Sequence, residues 1–216
     1  MRADVPTSDF IIKLKFQTLS LESQQSSPQL SRATTSEITE LISLGNSQLK
    51  ISPDRITVEN LKQARHYFSK ALHFLKNQSH PAASPKQVSR VCQKLMETSL
   101  GLSMRTHGTE RKEHADQAHK YGEAALDNGV RSGDECMIAQ LQFLLLCVTA
   151  WKMYSQARVS GNDPRSHPGI ERVELLMAER LNELSKFQNL DMEVYEAQAR
   201  KYLGYLTTSS QTSGWD

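Results

Sequence analysis

Gln63-Ala64-Arg65-His66-Tyr67, Gln117-Ala118-His119-Lys120-Tyr121 and Gln198-Ala199-Arg200-Lys201-Tyr202 are three copies of one phrase, Gln-Ala-x-x-Tyr. The first two copies are followed four residues later by an Ala-Leu pair, Ala71-Leu72 and Ala125-Leu126. Each of these two is also preceded by a Leu-Gly pair, Leu44-Gly45 and Leu100-Gly101. The two units recur 54 to 56 residues apart. A unit of that length carrying small and aromatic residues at helical spacing predicts a duplicated helical hairpin.

Around these phrases the chain reads as helix nearly throughout. The stretch from near Thr34 to about Lys50 is the first helix, with Thr34 and Glu37 spaced as a capping box. The second, about Thr57 to Lys76, places Leu61, Ala64, Phe68, Ala71 and Leu75 on one stripe. The third runs from about Lys86 to Thr106, with Val88, Cys92, Leu95, Leu102 and Met104 as its apolar positions. A fourth, from Thr109 to Asp127, is expected to stop at Asn128-Gly129. Ser132 and Glu135 suggest the cap of a fifth helix, which reaches about Val159 and is apolar nearly all round. That pattern marks the central buried element. Two more helices, about Ile170 to Lys186 and Asp191 to Leu206, complete an all-α domain of about seven helices stacked as antiparallel hairpins. The expected boundaries are an N-terminal arm at 1–35, a helical domain at 36–206 and a tail at 207–216. Within the arm, Ile12, Leu14 and Phe16 alternate with Lys13, Lys15 and Gln17. This segment is a strand, a short helix or a docking peptide.

The hairpin phrases resemble the tetratricopeptide repeat. Leu41, Leu44 and Gly45 are similar to the first helix of that repeat, and Ala64, Phe68 and Ala71 to its second. The second unit offers Leu100-Gly101, Ala118, Gly122 and Ala125, so Gly122 stands where the family has an aromatic. The family repeat is about 34 residues, shorter than the spacing here, and the last three helices match it poorly. The resemblance implies a right-handed superhelix and a partner peptide or helix bound in a groove lined by the first helix of each hairpin. It places Asn46 and Lys50 of the first unit, Thr98, Leu102 and Arg105 of the second, and Lys152 of the fifth helix along that groove. Ile12, Leu14 and Phe16 are candidates for a second contact. Gly45-Asn46 is also similar to the carboxylate clamp of chaperone-binding repeats. Ile42 and Ser99 stand where that clamp has Lys and a second Asn, so no clamp is expected.

Other chemistries find little footing. His66, His73 and His80 recur every seven residues, about 10 Å of helical rise, too far for a shared ion. His114 and His119 sit on diverging faces. Cys136 and Cys147 lie about 16 Å apart on one helix, beyond disulfide reach, and with Cys92 fit small core residues of a reducing compartment. No nucleophile elbow, phosphate loop or zinc-protease helix occurs. No cofactor and no catalytic residue is expected. Net charge is +2, too mild to indicate nucleic acid by itself. Lys62, Arg65, Lys70, Arg90 and Lys94 carry a nucleic-acid alternative, and a subunit of a larger complex or homodimer is another. Without a leader pattern or a long uncharged apolar run, the expected location is cytoplasmic or nuclear. The functional expectation is a non-catalytic adaptor. Tyr195, Tyr202 and Tyr205 are expected to cap the last apolar face rather than form a contact surface.

Overall fold

The structure is a computed structural model and describes residues 29–50, 55–77 and 83–207. It contains α1 (Gln29–Leu49), α2 (Val58–Asn77), α3 (Pro85–Arg105), α4 (Gly108–Ser132), α5 (Glu135–Val159), α6 (Ile170–Leu184) and α7 (Met192–Thr207). A 3-10 turn, Pro164–Ser166, sits between α5 and α6. No strand occurs among the described residues, so the fold is all-α. The alternating Phe10–Phe16 segment lies outside them.

The α2 stripe works as the 3.6-residue period predicts. Leu61, Ala64, Phe68, Ala71 and Leu75 are all buried. Ser84 caps α3 by accepting a hydrogen bond from the Gln87 amide at 3.2 Å, and Pro85 fills the first helical position.

Three boundaries differ from expectation. Helix α1 begins at Gln29 rather than near Thr34, so part of the Ser- and Gln-rich stretch is helical. Ser, Gln, Arg and Ala are tolerable helix formers once a docked apolar stripe supports propagation. Helix α4 continues through Asn128-Gly129 to Ser132. There Gly129 serves packing: a Cβ on it would come within 3.0 Å of Leu141 Cδ1. The real stop is Gly133, whose φ of +70° is costly for any side chain and whose N–H donates to the Val130 carbonyl. The cap of α5 is therefore Asp134, which accepts from the Met137 amide at 3.0 Å. Ser132 instead donates to the Gly129 carbonyl at the end of α4.

Each helix packs on its neighbour in the chain: α1 on α2, α2 on α3, α3 on α4 and α4 on α5. Helices α6 and α7 close on α5 and on each other. Two apolar clusters result. One gathers Ile38, Phe68, Leu95, Leu102 and Leu141, and the other Met96, Phe143, Trp151, Met177 and Leu206. Both α3 and α5 contribute to both clusters and so tie the halves together. Helix α5 is also long and apolar enough to cross a membrane by length and composition, yet 56% of that window is buried by its neighbours.

Candidate partner-binding surface

The resemblance assigned six described residues to one groove, and the structure separates them. Lys50, just past the end of α1, is exposed, and Asn46 on α1 is half-buried. The Asn46 Oδ1 is shielded from solvent and accepts no hydrogen bond from a described residue. Thr98 and Leu102 do not line a surface. Thr98 is 1% exposed and its hydroxyl donates back to the Lys94 carbonyl at 2.9 Å, while Leu102 is 0% exposed in the first core cluster. The reason is the position of α3: with α2 on one side and α4 on the other, its predicted groove face is core.

Arg105 is half-buried and structural. Its Nε donates to the Ile56 carbonyl at 3.2 Å and its Nη1 to the Gly101 carbonyl at 3.4 Å, tying the end of α3 to the start of α2. Burial pushes its pKa below the usual arginine value. Lys152 pairs with Asp116 of α4 at 3.2 Å, and Lys112 pairs with the other oxygen of the same carboxylate at 3.0 Å. Burial works against ionisation of Asp116, but the bonds and charges of Lys112 and Lys152 outweigh it and hold the carboxyl below its ordinary range. Ile12, Leu14 and Phe16 lie outside the described residues.

The cations of the nucleic-acid alternative are likewise dispersed. The Arg65 guanidinium donates to Gln117 Oε1 at 2.8 Å and lies 3.2 Å from His114 Nδ1. A guanidinium has only donors, so Nδ1 accepts and a neutral His114 carries its proton on Nε2. Lys94 pairs with Glu97 at 2.8 Å. Lys62 and Lys70 remain exposed on α2, and Arg90 sits half-buried on α3.

The tyrosines fit their role as a cap. Tyr195 and Tyr202 are buried, the first edge-on to Phe143 and held by a 3.0 Å bond from Gln140. Tyr205 packs edge-on to Trp151 and at a tilt against Tyr154, at ring separations of 4.9 and 5.4 Å. Burial raises the thiol pKa of Cys92 and Cys147, and burial with the Asp134 charge does so at Cys136. All three thiols are free and stay protonated near neutrality. Among the described residues, no three His, Cys, Asp or Glu side chains converge as a metal site.

One concavity escaped the sequence reading. A cleft of about 450 Å³ opens between α1 and α2, lined by Glu37, Leu41, His66, Ser69, Lys70, His73 and Phe74. The signal for it was present. Glu37, Leu41 and Leu44 follow one helical stripe, and Leu44 remains 38% exposed although it belongs to the Leu-Gly pair. Among known proteins, no family model, no curated protein and no solved structure matches this chain.

Proposed function

We propose that the chain is a non-catalytic adaptor of tetratricopeptide-like build, its hairpins winding as a right-handed stack, that binds a segment of a partner protein. The observation that carries this reading is the packing at Gly45. A Cβ there would lie 2.6 Å from Phe68 Cε1, so glycine alone lets α1 settle on the aromatic, with Ala64 and Ala71 fully buried on either side. This is the physical purpose of the small-aromatic-small pattern in the repeat. The second unit departs from it in a matching way. Gly101 faces Leu61 of the preceding hairpin, and the space over Gly122 is taken by Leu145 and Met96 in place of an aromatic.

Within this reading Lys50 is the polar contact left exposed at the surface, while the Asn46 oxygen is shielded from solvent. The test is quantitative capture of the tagged 216-residue chain and its Lys50→Glu variant from extract of its own cells, with cross-links mapped by mass spectrometry. A stoichiometric protein partner cross-linked to the helical stack supports the adaptor. Recovery of the chain as a free monomer from gently lysed cells refutes it.

A further inference from the structure

The α1–α2 cleft is lined by Glu37 on its α1 side and by Lys70, His66 and His73 on its α2 side, and further exposed charges continue these two signs along the helices. On α1, Glu37 and Glu40 are exposed. Across the cleft, the outer face of α2 carries Lys62, His66, Lys70, His73 and Lys76, all exposed, at spacings that keep them on one side of the helix. The acid of α2, Glu59, is already held by the Gln63 amide at 3.2 Å. None of Glu37, Glu40, Lys62, Lys70 or Lys76 takes part in an ion pair among the described residues. Between the walls lie Leu41 and Phe74, both only partly buried, with Leu44 next along the α1 stripe.

We propose that this cleft receives an amphipathic helix of a partner protein whose two polar flanks carry opposite charge. Its apolar stripe seats on Leu41, Leu44 and Phe74. Its acidic flank lies along Lys62, Lys70 and Lys76, and its basic flank along Glu37 and Glu40. The inference rests on the adaptor reading and names the site and the chemistry of the segment it takes. Charge complementarity selects this occupant over the chain's own N-terminal segment. Between Phe10 and Phe16 that segment sets Lys13 and Lys15 beside its apolar residues and holds no acid to face the α2 lysines, Asp4, Asp9 and Glu22 lying outside that run. Opposite walls also fix direction. A helix with segregated flanks makes complementary pairs in one orientation and like-charge contacts in the other, whereas an apolar groove alone accepts both.

The test uses the full chain and fluorescein-labelled synthetic helices. One probe has a Leu/Phe stripe at i, i+3, i+4 and i+7 spacing, with Glu on one flank and Lys on the other. A second has the same composition and stripe but Glu and Lys mixed on both flanks. Fluorescence anisotropy is expected to show the segregated probe binding about tenfold tighter at low salt, from a few exposed pairs, with the advantage shrinking at high salt. Glu37→Lys and Lys70→Glu each erode that advantage. A variant with every charge of both walls exchanged (Glu37→Lys, Glu40→Lys, Lys62→Glu, Lys70→Glu and Lys76→Glu) restores it by turning the probe around, which a general loss of fold does not do. Leu44→Ser weakens both probes alike.

Equal binding of the two probes, or none with circular dichroism unchanged, overturns the proposal. Displacement by a peptide of residues 1–28 does so by making the N-terminal arm the occupant. Displacement by a random-sequence oligonucleotide does so by making the α2 lysines a nucleic-acid site. Failure here leaves the adaptor reading standing if the chain still captures a stoichiometric partner from extract. Absence of that partner is the separate failure of the adaptor reading itself.

Discussion

Replacing Gly45 with alanine is expected to destabilise the protein although alanine is the better helix former. In an unobstructed helix interior the substitution gains about 1 kcal/mol from the restricted unfolded chain and improved propensity. At Gly45 the added methyl lies 2.6 Å from Phe68 Cε1 and 2.7 Å from Cζ. That is roughly 1 Å inside a comfortable carbon–carbon separation. Phe68 is fully buried in a cluster that includes Ile38, Leu72 and Leu95, so its ring has nowhere to retreat. Overpacking of this kind costs about 1–3 kcal/mol. Gly204, in the last turn of α7, supplies the control, because a Cβ there meets nothing within 4 Å. The propensity gain is common to both positions, so the difference between Gly45→Ala and Gly204→Ala isolates the Phe68 contact at about 1–3 kcal/mol. For a chain of this size each kcal/mol shifts Tm by about 2–4 °C. Urea and thermal unfolding by circular dichroism are the assay, with Phe68→Leu as a second background in which the Gly45→Ala penalty fades. A Gly45→Ala protein as stable as Gly204→Ala would refute the close approach, and with it the observation on which the repeat-like reading stands.

Asp134→Ala removes the α5 cap and the 2.7 Å pair with Lys86, and is expected to cost about 1–2 kcal/mol at neutral pH in urea titration. The Lys86 bond and the Met137 amide depress this carboxyl. Its contribution is therefore present above the unfolded value of about 3.9 and disappears as pH falls through the folded value. The wild type and the variant should converge in acid, and a constant gap would contradict the assignment. With a thiol reagent on the native protein, half-buried Cys136 should react first, while buried Cys92 and Cys147 wait for unfolding; three equal rates would mean that α3 and α5 are not packed as described. Arg65→Ala should cost about 1–2 kcal/mol by cutting the link from α2 to His114 and Gln117. A neutral result in urea titration would make that link an exposed, idle contact.

The helices were legible because their apolar positions follow one period. Leu61, Ala64, Phe68, Ala71 and Leu75 need no tertiary knowledge to be placed on one face. What failed depended on partners distant in sequence. Asn128-Gly129 reads locally as a stop, and only Leu141 pressing on Gly129 shows why the helix continues. Thr98 and Leu102 were set on a groove by analogy with an exposed first helix, whereas α3 is covered by the helices on both sides. Arg105 and Arg65 are charged side chains that sequence assigns to solvent. Their bonds reach Ile56 and Gln117, 49 and 52 residues away, and no local pattern announces such a pairing. The cleft between α1 and α2 was missed because its walls come from two helices whose register is set by tertiary contacts such as Gly45–Phe68 and the Asn60–Gln48 bond.

The position of α1 at the edge of the stack links this packing to function. Among the described elements, helices α2 to α5 each have major neighbours on two sides, while α1 packs chiefly on α2. A helix supported from one side opens locally at lower free energy than one enclosed from both. Amide hydrogen exchange should therefore find the described part of α1 exchanging faster than α3 or α5. The helical-probe experiment should slow it, because a guest in the cleft supplies the missing neighbour and extends the stack by one helix. If α1 is already as protected as α3 in the free chain, something other than α2 supports it, and the cleft is not an unfilled place in the stack. If α1 exchanges fast and stays fast with the segregated probe bound, the guest sits elsewhere. Fast exchange relieved only by that probe would assign Leu44, an exposed leucine in an otherwise buried repeat phrase, to the contact that the isolated chain cannot make for itself.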